Sequence, residues 1–432
     1  MSTVQVQTPR GDPGHRQALA AALAEGGLRT DFQPVVDLAT GTVVAYEALA
    51  RGPEGPLVRP DALVAAARAA GLLPELDQAC RAAALRGAVR AGLLDPLMLF
   101  VPVEPEVLNA TPLETLTALA EEAPPGLRVV LEITERAMAS RPADLLRAVH
   151  RVRRLGWRVA LADVGAEPAS LTLLSLLEPD VVKLDVSLVQ ERPSPAVAEV
   201  VHAVNAYAER SGALVLAEGV TDEQQLATAL ALGATLGQGW LFGCPTPAPR
   251  PVPGPVSRRL SPAPLSAATP ASPFAALPAS TPLRRSTKEL LVEVSLHLER
   301  HAAALGRLCL VGSTFQDSSH FTPATTERYA ELARRAGLVC AFGRGLPDEP
   351  APGVRGGPLA ADDPLAAEWD VAVLSPHFSA ALLARDLSGP AAPESERAFE
   401  YALTYDRDVV VQAAQALLLK VSPVPATAAR LR

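Results

Sequence analysis

The chain has few cysteines, no long apolar run and no excess of positive charge, and each of these absences excludes something. Cys80, Cys244, Cys309 and Cys340 are scattered with no Cys-x-x-Cys pair. Neither a disulfide framework nor a zinc site is expected from them. No stretch of about eighteen apolar residues is long enough to cross a bilayer, and the first thirty residues lack a signal-peptide pattern. Acidic side chains number 47 against 39 basic ones, a net charge of −8. That balance argues against a general nucleic-acid surface. The expectation is a soluble, cytoplasmic protein with no nucleic-acid and no membrane partner.

What is present is apolar content and proline. Hydrophobic residues make up 49% of the 432, enough for sizeable cores, and the length calls for more than one domain. The 41 prolines are partly concentrated near the middle. Four regions follow: a loose tail over 1–13, a barrel over 14–247, a Pro/Ala/Ser-rich extended linker over 248–284, and a second globular region over 285–423. In the first globular region eight strand-like runs alternate with Ala/Leu/Arg-rich helical stretches. They are expected at Thr30–Asp37, Thr42–Leu49, Met98–Val103, Arg128–Thr134, Arg158–Asp163, Val181–Asp185, Leu214–Glu218 and Leu236–Leu241. Alternation of this kind predicts an α/β fold with parallel strands, and eight units predict a (β/α)8 TIM-like barrel. Only a Gly-containing turn separates the first two runs, so that pair should be an antiparallel hairpin.

Polar side chains recur where these runs end: Gln33, Glu47 with Arg51, Glu132, Asp163, Lys183 with Asp185, Glu218 and Gln238. In a barrel of this class such residues converge on one mouth. Several carboxylates entering one rim suit hard divalent cations, which activate a water and steady a leaving oxygen. Arg51 and Lys183 would supply positive charge for a phosphodiester.

The motifs carry a resemblance. Phe32-Gln33-Pro34-Val35-Val36-Asp37, Glu47-Ala48-Leu49 with Arg51, Leu131-Glu132-Ile133-Thr134-Glu135, Lys183-Leu184-Asp185, Ala217-Glu218-Gly219-Val220 and Gln238-Gly239-Trp240 resemble, in order, those of the EAL family. Its members are barrels that linearise cyclic di-GMP with Mg2+ or Mn2+. The resemblance implies that Glu47, Glu132, Asp163 and Glu218 face metal, and that Lys183 and Glu218 act catalytically. It implies that Gln33, Glu47, Leu49, Arg51 and Gln238 hold the nucleotide. It also implies cyclic di-GMP as partner and allows a homodimer through the barrel face near the fifth and sixth strands. A further protein partner is left unnamed.

Departures from the family pattern matter as much. Pro102 stands where the third strand usually carries Asn, and proline offers neither a side-chain oxygen nor an N–H. Ala162 stands where the fifth strand usually carries the first of two aspartates, which bridges the metals in the family. Thr221 replaces the second acid of the Glu-Gly-Val-Glu string, and Ala166-Glu167 replaces Thr-Gly. Loss even of an outer partner typically costs about 10–100-fold in metal affinity or activity. The preferred expectation is therefore a degenerate barrel that binds cyclic di-GMP without efficient hydrolysis, with no metal required. The alternatives are an active Mg2+- or Mn2+-dependent phosphodiesterase producing pGpG, with Glu167 as a rescuing ligand, and a non-binding scaffold.

The second region should be a smaller α/β domain. Helices are expected at Leu291–Leu305 and Asp408–Leu419, with strands at Arg307–Val311, Leu338–Phe342, Val371–Leu374 and Phe399–Leu403. His297 and His301 share a helix face; with no third ligand at a useful spacing, a surface or packing role is favoured. Phe321-Thr322-Pro323, Arg328-Tyr329, Gly343-Arg344-Gly345, Glu368-Trp369, Ala384-Arg385-Asp386 and Thr404-Tyr405-Asp406-Arg407-Asp408 resemble the DICT domain, which implies a sensory module with no ligand assigned. Asp406 is expected to cap the closing helix.

Overall fold

The computed structural model describes residues 13–24, 26–93, 96–103, 107, 126–134, 141–166, 170–192, 194–249, 269–360, 362–388 and 397–423. The tail over 1–12, Glu135, Glu167 and residues 250–268 of the expected linker lie outside the described residues.

The eight expected strands form: β1 (Arg29–Asp37), β2 (Val43–Arg51), β3 (Met98–Val103), β4 (Arg128–Thr134), β5 (Arg158–Val164), β6 (Val181–Leu184), β7 (Leu214–Ala217) and β8 (Leu236–Gln238). They close into a barrel in chain order. β1 runs antiparallel to β2 and to β8, whereas β2–β3, β3–β4 and β7–β8 are parallel. The β1–β2 turn closes because Asp37 Oδ1 accepts the N–H groups of Ala39 and Thr40, at 2.9 and 3.1 Å. Gly41 then takes the left-handed φ of +68° that the turn needs.

Helix α1 (Pro13–Leu23) precedes β1, and helices in the crossovers are α2 (Pro60–Ala70), α3 (Leu73–Arg90), α4 (Pro142–Arg154), α5 (Ser170–Leu177), α6 (Val186–Gln190), α7 (Pro195–Ser211) and α8 (Glu223–Ala231). Proline opens α2, α3 and α7 within their first turns, where its fixed φ costs no hydrogen bond. α7 shows the full set of boundary signals. Ser194 Oγ accepts from Val197 N at 3.3 Å, and Gly212 ends the helix at φ +74°. Among the described residues no helix is long and apolar enough to cross a membrane.

By internal contacts the chain divides into two compact units. One comprises residues to Ile133, Leu155–Ala160 and Leu216–Ala263; the other comprises Thr134–Arg154, Leu161–Val215 and Pro264 onward. The division therefore cuts β4, β5 and β7 as well as the expected linker, between Ala263 and Pro264.

The second unit contains a six-stranded sheet of order β11-β10-β12-β13-β14-β9. Its strands are β9 (Arg284–Thr287), β10 (Leu310–Asp317), β11 (Leu338–Arg344), β12 (Glu368–Leu374), β13 (Ser379–Asp386) and β14 (Ala398–Thr404), with helices α9 (Lys288–Leu305), α10 (Pro323–Arg335) and α11 (Arg407–Leu418). Only β10–β11 is parallel. Two strands went unforeseen. β13 is rich in Ala and Leu, a composition that favours helix, yet it lies between β12 and β14 and pairs along nearly its whole length. Pairing on both edges overrides propensity there. β9 is a polar edge strand that begins at the last residue read as linker, Arg284. β10 also begins later than expected, because Gly306–Leu308 forms a 3-10 turn instead.

The extended-linker reading is corrected for Ser272–Arg284. Ser272 Oγ donates to Glu368 Oε1 at 2.5 Å and Phe274 N to Glu368 Oε2 at 3.1 Å, while Arg385 lies 4.9 Å above the Phe274 ring. Within the same unit the closing helix α11 packs against α4 and α5. Gln415 Nε2 donates to the Leu176 carbonyl at 2.9 Å, and Arg147 donates to the Leu419 carbonyl at 3.1 Å.

Candidate functional site

In the first unit the β1–β2 register places Gln33 opposite Glu47, and the β1–β8 register places Gln238 opposite Val35. Three polar side chains meet as a result. Gln238, only 4% exposed, donates from Nε2 to Glu47 Oε2 at 2.5 Å and to Gln33 Oε1 at 3.3 Å. Gln33 Nε2 in turn donates to the Gly243 carbonyl at 3.4 Å. The Oε1 of Gln238 is buried with no hydrogen-bond partner. Orphan acceptors of this kind are uncommon in folded proteins and call for an explanation.

The loop after β8 fixes that geometry. Val220 N donates to the Gln238 carbonyl at 3.0 Å and Leu241 N to the Val220 carbonyl at 3.1 Å. The chains pass so closely that a Cβ on Gly239 would sit 2.0 Å from the Val220 oxygen, so only glycine fits. Trp240 follows directly and is 72% exposed. The sequence motif includes Trp240 without giving it a role; its exposure beside Gln238 is what singles it out.

Arg51, at the end of β2, is not a lone cation. Its Nε donates to Asp31 Oδ2 at 2.9 Å, with both side chains about one-fifth exposed. Asp31 lies opposite Leu49, diagonally across the hairpin from Arg51. Sequence reasoning overlooked Asp31, although the hairpin register would have revealed it. Glu132 is 4% exposed on β4 and stands opposite Pro102 of β3. Glu218 follows β7 and is half-buried. Thr221 is engaged at the start of α8: its Oγ1 donates to Gln225 Oε1 at 2.8 Å, and Asp222 Oδ1 caps the helix by accepting Gln225 N at 2.8 Å.

In the second unit Asp163 sits on β5 with a left-handed φ of +56°, a conformation unusual for an aspartate and often retained at functional positions. Ala162 before it is buried. Lys183 of β6 is 2% exposed. Asp185 Oδ1 accepts Ser187 N at 2.9 Å and so caps α6.

Among the described residues, no three or more carboxylate, imidazole or thiol side chains group closely enough to hold a metal ion. Pro102 and Ala162 bring no ligand atom, and Glu47 is already bonded to Gln238.

The second region's motifs serve mainly in the fold. Asp406 caps α11, with Oδ1 accepting Asp408 N at 3.0 Å and Val409 N at 3.3 Å. The His301 ring packs 4.4 Å from that of Phe378. Arg328 and Tyr329 both donate to Glu299, at 2.6 and 2.9 Å. Burial, the dominant cause, pushes the Glu299 carboxyl above the usual carboxylate range despite these bonds.

Comparison with known proteins gives two family matches. A model described as EAL domain matches residues 16–245, and one described as a sensory domain in diguanylate cyclases and two-component systems, DICT, matches residues 273–387. The cyclic di-GMP phosphodiesterase NbdA of Pseudomonas aeruginosa is 32% identical over 241 residues, which cover 54% of this chain and 30% of NbdA. The cyclic di-GMP phosphodiesterase RocR of the same organism is 31% identical over 232 residues, 52% of this chain and 59% of RocR. The chain thus spans less than two thirds of either relative. The EAL domain of Xanthomonas citri FimX, solved with c-diGMP, is 24% identical with a TM-score of 0.46, covering 52% of this chain and 90% of that one. With its EAL match extending over more than half of its length, the chain belongs to the EAL family and carries a DICT region behind the barrel.

Proposed function

We propose that this chain is a cyclic di-GMP signalling protein whose degenerate EAL barrel binds the nucleotide without efficient hydrolysis and is coupled to the DICT region. The observation that carries this reading is the buried, partnerless Oε1 of Gln238 within the Gln33–Glu47–Gln238 cluster. A guanine edge offers N–H donors to such an acceptor, and leaving it unpaired costs about 1–3 kcal/mol. Trp240 offers an exposed ring on which a base can stack. Arg51, held by Asp31, offers a guanidinium to phosphate.

Loss of turnover follows from the metal side. In this reading Glu47, Glu132, Asp163 and Glu218 are the remnants of a ligand set that held Mg2+ or Mn2+, with Lys183 and Glu218 as the former catalytic pair. Pro102 and Ala162 remove two positions from that set. A homodimer through the barrel would have to use surface other than that taken by α11, because Leu176 of α5 already receives Gln415 and Ser175 receives Arg407.

The test is incubation of the full chain with cyclic di-GMP and Mn2+, following pGpG by chromatography, alongside a Pro102→Asn/Ala162→Asp variant. The proposal expects no product from the native chain and product from the variant, a gain of at least about 100-fold. Product from the native chain would make it a working phosphodiesterase and sink the proposal.

A further inference from the structure

The DICT region contains a cavity of about 530 Å3 between α9, α10 and the β10–β12 face of the sheet. That volume falls within the range of small-molecule sites, roughly 300–1,000 Å3. Its walls combine held aromatic rings, the charged side chains of Lys288, Glu299 and Arg328, and one buried amide nitrogen without a partner. Trp369 Nε1 donates to Ser295 Oγ at 3.1 Å, which fixes the indole. Tyr329 is fixed by hydrogen bonds to Glu299 Oε1 and Ser313 Oγ, at 2.9 and 2.8 Å. Phe315 lies edge-on to Tyr329 with centroids 5.3 Å apart. These polar groups are already satisfied within the protein.

Gln316 is different. It lines the cavity, is 4% exposed, and its Nε2 has no hydrogen-bond partner. Its backbone also adopts φ +60°, a left-handed conformation that a glutamine rarely takes. An orphaned buried donor and local backbone strain at one residue are two separate costs, each of the kind that folds retain at binding sites. Neither stabilises the sheet: β10 pairs regularly with β11 only as far as Thr314 before its register shifts.

We infer that this cavity is the ligand site of the DICT region, and that it takes a planar ring compound presenting a carbonyl-type acceptor to Gln316 Nε2. The aromatic walls select the flat apolar body. The amide N–H selects the acceptor, since a ligand without one leaves that donor unpaired.

Coumarin and naphthalene test this, because they share a fused bicyclic shape and only coumarin carries a carbonyl. Both are titrated against the full-length chain by ligand-observed NMR, with circular dichroism confirming that each variant folds. Coumarin should bind the native chain at least about tenfold more tightly than naphthalene. In Gln316→Leu that preference should vanish while naphthalene still binds. In Leu296→Trp, where the new ring fills the cavity, binding of both should be lost. Equal affinity of the two compounds for the native chain, no coumarin binding, or coumarin binding unchanged by Leu296→Trp would each overturn the inference. The comparison in the native chain requires no variant, so a folding failure leaves it intact. Cyclic di-GMP takes no part, so the outcome is independent of the barrel reading.

Discussion

Two glutamines, one in the barrel and one in the DICT region, pose the same physical problem with opposite sign. Gln238 and Gln316 are each 4% exposed, and each leaves one amide atom buried without a partner. In Gln238 the orphan is the acceptor Oε1; in Gln316 it is the donor Nε2. Their surroundings differ in kind. Gln238 adjoins a carboxylate and a second amide, with an exposed indole following in the chain, which suits a polar heterocycle with N–H groups. Gln316 stands among held aromatic rings, which suits a flat apolar body with a single acceptor. The contrast shows that a buried amide acquires its selectivity from what its neighbours have already used.

The largest expected effect strikes the barrel side of this comparison. Restoring both missing ligand positions with Pro102→Asn/Ala162→Asp should raise pGpG formation by about 100-fold or more, read by chromatography. Next, Gln238→Leu should weaken cyclic di-GMP binding roughly 10- to 100-fold, measured by calorimetry, while Gln316→Leu should leave that binding unchanged. Equal effects of the two glutamine variants would break the comparison.

On the DICT side, Tyr329→Phe removes the hydroxyl shared by Glu299 and Ser313 and should cost about 1–3 kcal/mol in denaturant unfolding. The smallest effect concerns Asp370. Its burial, reinforced by the neighbouring Glu368 charge, pushes its carboxyl well above the ordinary aspartate range. The folded chain therefore keeps a proton that the unfolded chain has lost. Stability from this group is complete below the ordinary value of 3.8 and declines as pH rises towards the raised folded value. Asp370→Asn should flatten that part of the pH profile of thermal unfolding, and an unchanged slope would contradict the assignment.

Much of the barrel was legible because its signals are local. Met98–Val103 and Arg128–Thr134 are bounded as the apolar pattern suggested, and the β1–β2 hairpin follows from a Gly-containing turn. The DICT region was less legible. β13 looks helical by composition and becomes a strand only through partners on both edges. Ser272 and Phe274 belong to a proline-rich stretch, yet Glu368, about a hundred residues later, accepts hydrogen bonds from both. For the candidate site, motifs identified Gln33, Glu47 and Gln238 as residues to watch, but not the orphan oxygen. Hydrogen-bond satisfaction depends on three dimensions. The exposure of Trp240 and the whole Gln316 cavity went unseen for the same reason, whereas Asp31 as the partner of Arg51 was within reach of the hairpin register.

The most direct test of the central claim is calorimetric titration of cyclic di-GMP into the metal-free native chain, with the nucleotide recovered and identified afterwards. The account predicts saturable one-to-one binding and intact cyclic di-GMP. An absence of binding heat at any accessible concentration, or recovery of pGpG, would contradict it.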